Sequence, residues 1–219
     1  MHFTVQNLVN IENEIKSNIS NYDNINLPKI IAVSKTFKID KILPLINHGH
    51  ADFGENKIQE AVDKWTEIKS NNSNIKLHMI GKLQSNKVKF AVKLFDYIHS
   101  VDSQKLAKKI ADEQKKINKI MKIFIQVNIG NEEQKSGIKK TELVDLVLYC
   151  KKINLDVVGL MCIPPVDGES STYFNEINLL NNKFGFTELS MGMSSDFIEA
   201  SKNFATYLRI GSSIFGERL

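Results

Sequence analysis

Short apolar runs of strand length alternate along this chain with longer amphipathic stretches. Eight such runs are Lys29–Ser34, Ala51–Gly54, Lys76–Gly81, Tyr97–Val101, Lys122–Ile129, Asp156–Ile163, Glu188–Gly192 and Thr206–Gly211. Several are bounded by Gly, Pro, Asn or Asp, the residues that punctuate strands. Between them, Asp102–Asn118 sets Leu106, Ile110 and Ile117 near one helical face. Thr141–Ile153 does the same with Leu143, Val144, Val147, Leu148 and Ile153. A further helix, Thr4–Ser20, is predicted before the first strand, and Asp102 and Ser194 are candidate N-caps. Eight strands separated by helices predict an α/β chain folded as a single (β/α)8 TIM-like barrel with an extra N-terminal helix. The same alternation permits a doubly wound sheet. No Pro/Gly/Ser-rich linker interrupts the pattern, so one domain is expected over residues 1–219.

Composition narrows the class. The 219 residues are 42% hydrophobic and 25% charged, the balance of an ordinary globular protein. Two cysteines, Cys150 and Cys162, argue against a disulfide framework and for a reducing compartment. No apolar run approaches the ~18 residues of a spanning helix, and the N-terminus lacks a secretory pattern. A cytoplasmic protein, away from membranes, is expected. The net charge is +4, but the lysines are scattered among acids, which favours a solvated surface over a nucleic-acid footprint. The 22 asparagines and many isoleucines fit an AT-rich coding bias, which weakens any argument from surface composition.

In a barrel the chemistry sits at the C-terminal ends of the strands. Lys35, Glu55, Asn56, Gly81, Gln84, Asn128, Pro164, Met193, Ser194, Arg209, Gly211 and Ser212 all fall there. Period-2 alternation puts Ile31, Val33 and Lys35 on one face of the first strand. Desolvation there would lower the lysine's pKa and free its amine for a Schiff base with an aldehyde; alternatively Lys35 snorkels from the rim to solvent. The small residues at 211–213, with Ser194 from the preceding loop, suit an anion held by backbone N–H groups, although a tight turn also calls for glycine. Arg209 shares the interior face and is one of only two arginines beside 27 lysines; it either faces a ligand or pairs with a carboxylate such as Glu55. His48-Gly49-His50 lacks the accompanying ligands of a metal site.

Taken together, these residues resemble the pyridoxal phosphate homeostasis protein family, related in fold to the N-terminal barrel of alanine racemase. The resemblance spans essentially the whole chain. It rests on Ala32-Val33-Ser34-Lys35-Thr36, Phe53-Gly54-Glu55-Asn56 with Gln59-Glu60, and the stretch from His78 through Gly81-Lys82-Leu83-Gln84-Ser85-Asn86 to Lys87. Gln126-Val127-Asn128, Lys135-Ser136-Gly137, Gly159-Leu160-Met161 and Ile163-Pro164 extend it. Leu189 through Ser194 with Asp196, and Arg209-Ile210-Gly211 with Ile214-Phe215-Gly216, complete it. The resemblance implies pyridoxal 5′-phosphate (PLP) held as a Schiff base by Lys35. It implies the phosphate on Ser194, Gly211 and Ser212, Arg209 at the pyridine nitrogen, and Asn56 and His78 lining the pocket. Departures are Leu77 for a frequent Trp, Ser212 for Thr, Cys162 for Ala, Ile198 for an acid, and Phe204 for Gly.

An arginine at the pyridine nitrogen only donates, so the ring would be a weaker electron sink. The chain ends soon after the last strand, so the second domain of a racemase is not expected. The expected function is therefore PLP binding and delivery without significant turnover, with apo-PLP enzymes as transient partners and a monomeric state. A racemase-like enzyme and a Schiff-base aldolase are the alternatives, with a nucleic-acid-binding module a distant fourth.

Overall fold

The computed structural model describes residues 1–20, 26–166 and 168–217. Its centre is a closed parallel barrel in which every strand pairs with its neighbours in chain order. The strands are β1 (Lys29–Val33), β2 (Asp52–Glu55), β3 (Lys76–Met79), β4 (Tyr97–Val101), β5 (Lys122–Val127), β6 (Asp156–Cys162), β7 (Glu188–Ser190) and β8 (Tyr207–Ile210). β1 closes the barrel on β8 with Lys29 opposite Tyr207 and Ile31 opposite Arg209, which excludes the open doubly wound sheet. The helices are α1 (Phe3–Ile19), α2 (Ile39–Asn47), α3 (Ile58–Asn71), α4 (Val88–Leu94), α5 (Gln104–Lys116), α6 (Leu143–Lys152), α7 (Ser170–Lys183), α8 (Phe197–Lys202) and α9 (Ser212–Phe215). The extra N-terminal helix is α1. It buries Val5, Leu8, Ile11, Ile15 and Ile19 along one stripe. It also donates from Asn7 Nδ2 to the Ile214 carbonyl at 3.0 Å, tying α1 to the turn after β8.

Two separate apolar regions result. The larger lies between the barrel's outer face and the helices. The smaller fills the barrel itself and is built from Ile31, Tyr97, Phe124, Met161 and Tyr207. Two histidines lie within this inner layer: His78 stacks on Tyr97 with centroids 4.4 Å apart, and His99 on Phe124 at 4.3 Å. Both histidines are fully buried.

The predicted caps need correcting. Ser103, not Asp102, caps α5, because its extended backbone lets Oγ accept the Leu106 amide three residues on. Ser194 caps no helix: α8 starts at Phe197, and Asp196 occupies the N-cap position. The Asp196 carboxylate turns back to accept the Met193 amide at 2.6 Å.

Five helix ends follow one rule. After α2, α5, α6, α7 and α8 the chain takes a left-handed residue at Gly49, Asn118, Asn154, Gly185 and Phe204. In each case the next amide reaches back to the last turn, as Ala205 does to the Ala200 carbonyl at 3.1 Å. Glycine and asparagine tolerate that conformation; a phenylalanine does not, because its Cβ crowds the backbone. Phe204, at φ +68, therefore stands strained with its ring half exposed. This is the position where the resemblance leads one to expect glycine. Phe204→Gly should raise stability by about 1 kcal/mol, or roughly 2–4 °C in Tm. Thermal unfolding checks this; an unchanged or lowered Tm would contradict it.

Candidate functional site

Lys35 stands just beyond β1, on a turn held from both sides. Before it, Ser34 is fully buried and donates from Oγ to Glu55 Oε1 at 2.7 Å. The same carboxylate oxygen accepts from Lys64 Nζ and from Trp65 Nε1, both at 2.9 Å. Lys64 also donates to the Ser34 carbonyl at 2.8 Å and to Glu60 Oε1 at 2.9 Å. After Lys35, Thr36 takes a left-handed φ of +68, and its amide donates to Glu60 Oε1 at 2.5 Å. A β-branched residue in that conformation is costly and persists only where its surroundings hold it. Burial opposes ionisation of Glu60, but the Lys64 and Thr36 hydrogen bonds outweigh it and hold its pKa below the ordinary carboxylate value. The clamp fixes where the Lys35 side chain begins, and Lys35 itself is partly buried.

Across the β1–β8 seam, Arg209 is buried inside the barrel at 5% exposure. Nη1 donates to Ser190 Oγ at 2.7 Å and Nη2 to the Cys162 carbonyl at 2.8 Å. The expected pairing with Glu55 does not occur: Glu55 Oε1 is bound on the α3 side by Ser34, Lys64 and Trp65, while Arg209 bonds to Ser190 and Cys162 in the barrel interior. Burial lowers the Arg209 pKa from its ordinary value, yet a guanidinium starts so high that it stays charged. Burial pushes the neighbouring Cys162 thiol up to about 12, so it stays protonated. Beyond β8, Gly211 leads into α9, and the Ser213 amide lies 3.4 Å from Ser194 Oγ. The loops after β7 and β8 are thus joined at this point.

These elements surround one cavity of about 430 Å³ at the C-terminal mouth, within the ~300–1,000 Å³ usual for small-molecule sites. Its lining brings together Lys35, Asn56, Ser194, Arg209, Gly211 and Ser212, with Val33, Ile80, Ile163 and Met193 as apolar walls. The ionisable residues among the described lining are Lys35 and Arg209. Asn56 carries a buried Oδ1 that no described protein group satisfies. Gly81 permits the close approach that places Asn56, since a Cβ there would lie 2.4 Å from the Asn56 carbonyl oxygen. His78 does not line this cavity. Ile80 takes that place on the same strand face, and His78 lies two residues, roughly 6.6 Å, deeper in the barrel. An amine, a guanidinium and hydroxyls around an apolar floor suit an anionic, planar carbonyl compound.

Sequence reasoning gave no role to Lys64, nor to Ser190. Each acts through a partner on another element, so no spacing along the chain marks it. Among the described residues no group of three or more His, Cys, Asp or Glu is placed to hold a metal ion. No described helix is long and apolar enough to cross a membrane.

Comparison with known proteins gives the family and the fold. The alanine racemase N-terminal domain family matches residues 12–219. A pyridoxal phosphate homeostasis protein of Haemophilus influenzae is 38% identical over 208 residues, spanning 89% of this chain and 87% of its own. PipY of Synechococcus elongatus PCC7942, solved with PLP bound, superposes with a TM-score of 0.85 at 29% identity, over 97% of this chain and 100% of its own. An alanine racemase of Clostridium difficile 630 superposes with a TM-score of 0.72 over 99% of this chain and 57% of its own. At 17% identity that likeness is one of fold alone.

The clamp behind Lys35 can be tested by stability. Lys64 is 10% exposed and Glu55 fully buried, and removing one partner of such a pair typically costs about 3–5 kcal/mol. Lys64→Met should therefore destabilise the fold by about 3 kcal/mol or more. Adding Glu55→Gln should recover more than half of that, because the amide oxygen still accepts from Ser34 and Trp65 without an unpaired charge. Urea unfolding of the single and double variants measures both; additive losses would contradict the pairing.

Proposed function

This chain belongs to the alanine racemase N-terminal domain family and, within it, to the pyridoxal phosphate homeostasis proteins, and from that premise we propose that it holds PLP as a Schiff base on Lys35 and delivers it without significant turnover. The observation that carries this reading is the convergence of Lys35, Asn56, Ser194, Arg209, Gly211 and Ser212 on one cavity.

The residues present fit the group. Lys35 supplies the amine for the aldehyde. Gly211, which lacks a Cβ, and Ser212 open backbone amides toward a phosphate, and Ser194 adds a hydroxyl. Asn56 borders the same cavity, and its buried Oδ1 has no partner among the described groups. Arg209 uses two of its five N–H donors on Ser190 and Cys162, so donors remain for a ring nitrogen.

When bound, the cofactor supplies an electron-withdrawing ring, strongest when its nitrogen is protonated. Arg209 works against that protonation, because a guanidinium donates and does not accept. With Lys35 tied to the cofactor, Arg209 is the other ionisable group among the described lining residues, and it is a poor proton shuttle. Holding and releasing the cofactor therefore fits these residues better than turning over an amino acid. On this reading residues 1–219 form one PLP-binding domain, work in the cytoplasm and meet apo enzymes transiently.

Titration with PLP, followed by visible absorption, tests the reading. The wild-type protein should develop a Schiff-base band, and Lys35→Ala should not. Incubating the loaded protein with alanine in deuterium oxide should put no deuterium on the α-carbon. A wild type that stays colourless with excess PLP would refute cofactor binding, and α-deuteration at a catalytic rate would refute the carrier role.

A further inference from the structure

A file of polar groups runs through the barrel interior beneath Arg209. Arg209 Nη1 lies 2.7 Å from Ser190 Oγ, and Ser190 Oγ lies 2.9 Å from His99 Nδ1. His99 Nε2 lies 2.9 Å from His78 Nδ1, and His78 Nε2 lies 2.9 Å from Asp52 Oδ1. The file begins at the cavity mouth and ends at Asp52, which lines a second cavity at the opposite end of the barrel. Ser190, His78 and His99 are fully buried, so no solvent competes for their bonds.

We infer that Ser190, His99, His78 and Asp52 form a one-way hydrogen-bond chain that positions Arg209, with both imidazoles held as neutral Nε2–H tautomers. The two ends dictate the direction. A guanidinium only donates, and an ionised carboxylate only accepts. Ser190 Oγ therefore accepts from Arg209 and has its own proton to give to His99 Nδ1. His99 must then carry its proton on Nε2 and donate to His78 Nδ1. His78 in turn carries its proton on Nε2 and donates to Asp52. In the reverse sense the bare Nε2 of His78 would face a carboxylate oxygen, lone pair against lone pair.

The surroundings hold this state. The rings of Tyr97 and Phe124, stacked on His78 and His99, fix the imidazole planes. Burial lowers the pKa of His99 well below the ordinary imidazole value, and the nearby His78 and Arg209 add to this. Burial also lowers that of His78, against the pull of Asp52. Burial works against ionisation of Asp52, but the His78 hydrogen bond together with the nearby His78, His50 and Lys76 outweighs it and keeps the carboxyl below its usual pKa. The chain fixes one Arg209 amino group from below while the Cys162 carbonyl fixes the other. Ser190 and the two histidines are thus positioning residues. Only what Arg209 faces rests on the PLP reading; the bond directions do not.

The first test uses the unliganded wild-type protein, labelled with 15N-histidine, in long-range proton–nitrogen correlation spectra at neutral pH. His78 and His99 should each show a protonated Nε2 and a bare Nδ1. A proton on Nδ1 of either ring, alone or in an imidazolium, would overturn the chain. The second test compares Ser190→Ala with Ser190→Thr. Loss of a hydrogen bond to a charged group should weaken PLP binding roughly tenfold and shift the visible band in the alanine variant. The threonine variant should restore both. Wild-type affinity and spectrum in Ser190→Ala would overturn the positioning role. A wild type that takes up no PLP would defeat the functional reading instead, and the tautomer pattern would still decide the chain.

Discussion

Pairing β1 with β8 joins strands 178 residues apart, Lys29 beside Tyr207, and everything at the C-terminal mouth follows from that seam. Bringing such distant segments together costs loop-closure entropy, which the ladder and the packed barrel must offset. The register does more than close the sheet. With Ile31 opposite Arg209, period-2 alternation carries Val33 and Gly211 together and sets Lys35 at the rim beside them. A slip of one residue would turn Arg209 out of the barrel and Lys35 away from the mouth. The site is therefore a property of the closure and not of any one loop.

Closure also creates an electrostatic problem. A barrel interior is a packed apolar core, yet this one contains a guanidinium and two imidazoles. Such groups are costly to bury without hydrogen-bond partners. Arg209 resolves this through Ser190 and the Cys162 carbonyl, and the histidines through each other and Asp52. The Glu55–Lys64–Glu60 cluster answers the same problem outside the barrel, where it anchors the strained backbone after Lys35. Both arrangements stiffen the two sides of one cavity, so a ligand binding there has little ordering left to cost it.

Much of this was legible in the chain. The eight strands show as apolar runs because parallel strands covered on both faces need continuous apolar sequence. Lys35 and Arg209 show because period-2 alternation fixes their face, and the small residues after β8 show as a Gly-Ser-Ser run that bounds the last strand. The cap errors at Asp102 and Ser194 are one- and two-residue ambiguities that only local backbone geometry resolves. His78 was placed at the cavity, but alternation gives its face and not its depth, and Ile80 holds the rim. Lys64 and Ser190 left no mark, since each owes its role to a partner brought close by folding. Phe204 was visible as a departure from the family pattern, and the left-handed backbone at that position supplies the physical reason.

The central claim is that closure makes Lys35, out of 27 lysines, the one poised for an aldehyde. Borohydride reduction of the PLP-loaded protein, followed by peptide mass mapping, tests it most directly. The account predicts one stable adduct, on the peptide that contains Lys35. Label spread over surface lysines with none at Lys35, or concentrated on another lysine, would contradict it.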